Sequence, residues 1–250
     1  MRPSVDRAAL ARRAARLLAI FVALATPALA ADRANLDVLG YSADGRYFAF
    51  EQHGVQDGSG APYSDVFIVD LPGDKWLPGT PVSVIEGLET DEPPPLSEVR
   101  AKALAKAQPK LSALGINVPA ETLVLLGDGV PDDDGKTLVF AEPQCCSPGA
   151  TQDPRYTLTL SSFPAKLNEA YCADMQSVGY ALSISDGKTS TQLHRDGAIL
   201  PGSRGCTLDY RLYAVVAPSS GIGPRVVLIS SYPFGFEGPD RRFLAVPIRP

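Results

Sequence analysis

The chain has 250 residues, a formal net charge of −5 and 45% hydrophobic residues, with 22 glycines, 23 prolines and only 20% charged residues. So many turn formers in a chain that is still nearly half apolar exclude a coiled coil and a disordered tail, and predict one compact, loop-rich domain.

Arg2, Arg7, Arg12, Arg13 and Arg16 precede an apolar run over residues 17–25, a Thr26-Pro27 breaker and the small residues Ala28 and Ala30. This is the three-part pattern of a secretory signal peptide cleaved after Ala30, and the run is shorter than the roughly 20 residues that a membrane span needs. The expectation is a signal peptide over residues 1–30 and a single periplasmic or secreted β-rich domain over residues 31–250, with no stable membrane anchor after cleavage. Loss of the leader removes five arginines and Asp6, which moves the formal charge from −5 to −9. A domain this acidic repels phosphate backbones, so nucleic acid is excluded as a partner.

Past the leader, strand signals come in pairs. Residues 46–52 (RYFAFEQ) alternate after the turn Ser42-Ala43-Asp44-Gly45, and residues 64–71 (SDVFIVDL) return after a glycine-rich loop at 54–60. The pattern recurs in residues 136–141 (KTLVFA) with 155–161 (RYTLTLS), and in 209–217 (DYRLYAVVA) with 225–232 (RVVLISSY). Shorter strand signals lie at 82–85, 122–126, 179–185, 189–193 and 243–246. One segment breaks the β pattern. After the stop Thr90-Asp91-Glu92-Pro93-Pro94-Pro95, residues 96–114 read as a helix that starts at Ser97 and Glu98 and ends at Gly115. Leu96, Val99, Ala103, Ala107, Leu111 and Leu114 fall near one face, for burial against the sheet, and Pro109 is expected to kink or divide the helix.

Candidate chemistry is sparse. Glu51 and His53 are two apart on the first hairpin with Asp57 just beyond, and a carboxylate beside an imidazole can tune it for acid–base work. His194 is the other histidine. Asp128, Asp132 and Asp134 form the densest carboxylate cluster and are the candidate calcium ligands. In a calcium-loop alignment, however, the first and twelfth positions hold Val130 and Ala141, and the competing reading is the turn of a hairpin joining 122–126 to 136–141. No other cofactor is expected. Cys145, Cys146, Cys172 and Cys206 are an even set in an exported chain, which predicts two disulfides. Adjacent residues bridge only with strain, so Cys145 and Cys146 are expected to pair separately with Cys172 and Cys206. Near the C-terminus Glu237, Asp240, Arg241 and Arg242 could hold a carboxylate-bearing ligand or partner, or clamp one another.

The stretch Tyr41 to Phe50, with its Ser-Ala-Asp-Gly turn, followed by Asp65 to Leu71, resembles one blade unit of the Tol-system periplasmic β-propellers. Taken whole, and carried by residues 40–71 and 235–247, the chain resembles a family of bacterial predicted secreted proteins known only as a domain of unknown function. That resemblance implies export and a shared fold, and lends no activity. The combined expectation is an all-β, irregular propeller-like domain, with a β-sandwich as the alternative, carrying one helical insertion. In function it reads as a non-catalytic binding or interaction module of the bacterial cell envelope, for an envelope protein or a small ligand, with a groove near the loops 54–60 and 235–240. The alternative is a periplasmic hydrolase with an acidic, calcium-assisted site.

Overall fold

The structure is a computed structural model that describes residues 31–90, 92–127, 134–142, 154–172 and 175–249. The leader, Asp128, Asp132, Cys145 and Cys146 lie outside the described residues.

The described chain is mostly β, with one helix. The first sheet takes β1 (Asn35–Ser42), β2 (Tyr47–Val55), β3 (Pro62–Asp70), β4 (Lys75–Trp76) and β5 (Val82–Ile85), then β6 (Ile116–Val118) after the helix α1 (Leu96–Ala113). Its order is β4-β3-β2-β1-β6, with β5 also on β3. The second sheet is β12 (Ser190–Arg195), β11 (Val178–Ser185), β9 (Arg155–Pro164) and β8 (Thr137–Ala141). The third is β16 (Arg242–Ile248), β15 (Arg225–Pro233), β14 (Thr207–Pro218) and β7 (Ala120–Leu125). All three are antiparallel. A parallel pair, β10 (Lys166–Leu167) with β13 (Ile199–Leu200), stands apart.

The three hairpins read from the sequence are present, and each lies in a different sheet: β2 with β3, β8 with β9, β14 with β15. The expected hairpin between 122–126 and 136–141 does not form. β7 pairs with β14 and β8 with β9, so the segment between them crosses from the third sheet to the second. The sequence signal for β7 and β8 is that of two adjacent strands; instead they belong to facing sheets, with Leu123 and Val124 of β7 packed against the same core as β8. Leu138 and Phe140 are drawn into the core between the second and third sheets.

Packing follows from strand alternation. On β15, Val226 and Leu228 join a core with Phe48, Phe50, Phe67 and Tyr41 of the first sheet, while Val227 and Ile229 join one with Leu158, Leu160, Tyr180 and Leu182 of the second. The third sheet is thus the middle layer. The first sheet is likewise covered twice: Ala49, Val66 and Ile68 face α1. The order of layers is helix, first sheet, third sheet, second sheet. None of these described sheets closes on itself, and the arrangement is sandwich-like.

α1 docks through Val99, Ala103, Ala107 and Leu111, spaced by four, whose small central alanines let the helix lie close to the sheet. Pro109 does not divide it. The residue sits on the exposed side, where water can take the carbonyl that loses its amide partner. Tyr41 donates from its hydroxyl to the Val216 carbonyl (3.2 Å), and Phe243 donates its amide to Gln52 Oε1 (3.0 Å), which pins the first sheet to the third. Two turns also touch. Gly45 and Gly223 approach so closely that a Cβ on Gly45 would stand 2.4 Å from the Gly223 Cα.

The disulfide corrects the expected pairing. Cys172 and Cys206 bridge each other, with Cα atoms 5.5 Å apart, because the parallel pair β10 and β13 brings residues 167 and 200 side by side just before each cysteine. The bond closes a loop of 34 residues, which stabilises by about 4 kcal/mol in the chain-entropy model. Replacing both cysteines by alanine should lower the melting temperature by roughly 8 to 15 °C, measured by circular dichroism. A change under about 2 °C would show that the sheets, not the bond, hold this corner.

Candidate functional site

Among the described residues this layering assembles three polar clusters and one apolar cleft. On the helix side of the first sheet Asp37 lies opposite Glu51, and Glu51 and His53 share a face of β2 as their spacing implies. Arg100, beside Val99 in the buried stripe, comes down from α1. Its Nε donates to Glu51 Oε1 (2.9 Å), and its Nη2 donates to Glu51 Oε2 (2.7 Å) and to Asp37. Ser64 donates to Glu51 Oε1 (2.8 Å), and His53 Nε2 stands 3.3 Å from Asp37 Oδ2. The ligand atoms of Asp37, Glu51 and His53 lie within 4.8 Å of one another, close enough to hold a metal ion. The cation already among them is a guanidinium, and the fork geometry suits it. Asp57 is not part of this group: it is exposed on the loop after β2.

The second cluster was not singled out from the sequence. His194 on β12 stacks on Tyr180 (ring centroids 4.8 Å apart) between two carboxylates. Its Nδ1 is 3.3 Å from Asp74 Oδ2, and its Nε2 is 3.0 Å from Asp196 Oδ1. Arg204 Nη2 donates to the same Asp196 oxygen (3.0 Å) and lies 5.1 Å over the Tyr180 ring. Burial opposes charge on the imidazole, but the hydrogen bonds and charges of Asp196 and Asp74 outweigh it, and its pKa is pushed up to about 9. Burial also works against the Asp196 carboxylate, yet His194 and Arg204 hold its pKa below the ordinary value. Asp74 belongs to the turn between β3 and β4 and adopts φ 48°, uncommon for a residue with a side chain. The cluster therefore ties the first sheet to the second around a cavity of about 330 Å³ that Trp76, Ser203 and Leu244 also line. The legible signal was His194 and Asp196 two residues apart.

The C-terminal knot is engaged with its own chain. Arg241 donates from Nε and Nη2 to the Ala34 carbonyl (3.0 and 2.7 Å), and Arg242 Nη2 donates to Asp32 Oδ2 (2.6 Å). Asp240 Oδ1 accepts the Asp32 amide (3.1 Å), and Tyr63 donates to Asp32 Oδ1 (2.9 Å). Both guanidiniums thus fix the start of the described chain to its last strand, through Ala34 and Asp32; of the partners read from the sequence, Asp240 stands 3.5 Å from Arg242 Nη2 and Glu237 lies against Asp57 instead. The loops at 54–60 and 235–240 do come together, through like charges: Glu237 is held above its ordinary pKa by a hydrogen bond with Asp57. At the tip Phe236 is 98% exposed. Of the calcium candidates, Asp134 is described, and it accepts the Lys136 amide (2.8 Å) as a turn-forming residue.

The cleft has a volume of about 700 Å³ and lies where the β3–β4 turn meets the second and third sheets. Leu71, Pro72, Phe140, Tyr156, Ile184 and Ile248 give it an apolar lining. Phe140 and Tyr156 stack with centroids 5.4 Å apart. Arg225, Glu142, Asp186 and Arg249 supply its charges. The sequence could not mark it, because its walls come from six separate segments between Leu71 and Arg249.

Fold and sites together define a layered β protein whose buried charges are paired internally and which carries an apolar cleft. The chain belongs to a family of predicted secreted proteins, DUF2259, whose model matches residues 49–249. That membership accords with a periplasmic or secreted location. No curated protein and no solved structure matches the chain, and the likeness of its first hairpin to a Tol-system propeller blade gains no support from these comparisons.

Two outcomes follow from the clusters. Arg100→Ala strands a fully buried Glu51 and should cost about 3 to 5 kcal/mol in urea unfolding. The pair Arg100→Met with Glu51→Leu should recover most of that loss, and no recovery would mean that the ion pair itself is needed. For His194 the folded pKa is raised above the unfolded value near 6.5, so its contribution is complete below about pH 6.5 and is lost as pH rises through about 9. Allowing for the ring's partial contact with solvent, the loss should be on the order of 2 kcal/mol. Stability measured from pH 6 to 9.5 should show this fall in the parent protein and not in His194→Gln; parallel curves would remove the assignment.

Proposed function

We propose that the protein is a non-catalytic binding module of the bacterial cell envelope, and that its cleft takes a small, largely apolar ligand. The observation that carries this reading is the 700 Å³ cleft lined by Leu71, Phe140, Tyr156, Ile184 and Ile248. That volume lies within the range of small-molecule sites, and a few polar groups on an apolar wall are their usual composition. The alternative, a hydrolase built on Glu51, His53 and Asp57, has less in its favour. Both Glu51 oxygens accept hydrogen bonds from Arg100, which leaves that carboxylate poorly placed to take a proton from water.

Thr191 lines the cleft from an exposed position on β12, so a larger side chain there fills the cleft without entering a core. The neutral fluorophore N-phenyl-1-naphthylamine should bind the parent protein with a micromolar dissociation constant. Thr191→Trp should weaken that binding about tenfold or more at an unchanged melting temperature. Equal binding by both proteins would sink the cleft as the site.

A further inference from the structure

The charges around the cleft are not equally engaged. Arg225 Nε is paired with Glu142 Oε1. Asp186 Oδ1 accepts the amides of Lys188 (2.8 Å) and Thr189 (2.7 Å), which holds its carboxylate pKa below the ordinary value and commits it to its own turn. Arg249 differs. Its side chain is 50% exposed, and its ion-pair contact is a long one, with Nη2 at 3.8 Å from Asp74 Oδ2. Asp74 is meanwhile bonded to His194, which draws the carboxylate toward the neighbouring cavity. Arg249 follows Ile248, the last residue of β16, which pairs with Arg225, so both guanidiniums stand at one end of the third sheet. The walls of the same cleft are rings and aliphatic side chains.

From this arrangement we infer that the cleft binds an amphiphile with a single acidic head, of the fatty-acid class, its chain against Phe140, Tyr156 and Ile184 and its carboxylate on Arg249. The inference rests on the binding reading above and adds the chemistry of the ligand. Among the described residues Arg249 keeps donors beyond its long contact with Asp74, and a guanidinium matches a carboxylate through two parallel hydrogen bonds. Among the described residues Glu142 is paired with Arg225, and Asp186 is bound through Oδ1 to its own turn, so a cationic head meets carboxylates that are each partly committed. A sugar would need many more polar partners than Thr189, Thr191 and the charged rim provide. The acidic formal charge of residues 31–250 acts weakly on the head once bound, since at physiological salt charges beyond about 8 Å are screened.

The test displaces N-phenyl-1-naphthylamine with laurate, dodecanol or dodecylamine, all below their aggregation concentrations. Laurate should compete about tenfold more strongly than dodecanol. Arg249→Gln should bring laurate down to the affinity of dodecanol, and Arg249→Lys should keep part of the preference. The chain has two histidines, so their ring resonances can be followed directly. Laurate should shift His194, which shares Asp74 with Arg249, and leave His53 in place. Equal competition by laurate and dodecanol, or a preference for dodecylamine, would overturn the acidic head while leaving the cleft as an apolar site. Failure of all three to displace the fluorophore, in a protein whose fluorophore binding is still lost in Thr191→Trp, would overturn the amphiphile class alone. If Thr191→Trp has no effect on the fluorophore, the binding reading itself falls.

Discussion

The third sheet is apolar on both faces, and a sheet in that condition must be covered twice. Val226 and Leu228 face one way, Val227 and Ile229 the other, and β14 and β16 repeat the division. Burying a large aliphatic or aromatic side chain contributes roughly 1.5 to 3 kcal/mol, so neither face can be left to water. The first and second sheets are placed by this demand. The first then has its own outer face to cover, and α1 does so with a stripe too small to hold the helix off the strands. Strand pairing within each sheet is local; it is the double coverage of the middle sheet that makes the chain one body.

Layers meeting through apolar cores leave seams at their edges, and arginine is used repeatedly there. Arg100 joins the helix to the first sheet through Glu51, Arg204 lies at the His194 seam, and Arg241 and Arg242 tie the start of the described chain to β16. A planar guanidinium suits this role, because it keeps its charge under burial and presents several donors in fixed directions. The same habit explains why groupings that resemble catalytic or metal sites turn out to be occupied by the chain itself.

Much of the β architecture was legible in the sequence. The three hairpins, the helix after Pro95 and its Val99 to Leu111 stripe all follow from alternation, turn glycines and fourfold spacing. What the sequence withheld was which sheet each strand joins. β7 and β8 look like one hairpin, yet they join different sheets while packing on the same core, which alternation alone does not distinguish. β1 was missed because a bulge between Val38 and Gly40 interrupts its alternation. The disulfide was misassigned for a related reason, since the parallel pair beside it consists of two-residue strands with no periodic signal. Of the site residues, Glu51 with His53 could be read from spacing. Asp74, Arg204 and the cleft walls come from distant segments, and proximity in space has no one-dimensional trace there.

Gly45 and Gly223 sit at the tips of hairpin turns from two different sheets and touch through backbone alone, with Gly223 also on the wall of the cleft. Surface turns usually tolerate added residues, because each extra residue costs little closure entropy. Here the two turns limit each other: lengthening either one drives it into the other and wedges the first and third sheets apart. The lengths of these turns therefore constrain each other, and an epitope tag or domain inserted at either would alter the mouth of the cleft as well as the packing beneath it.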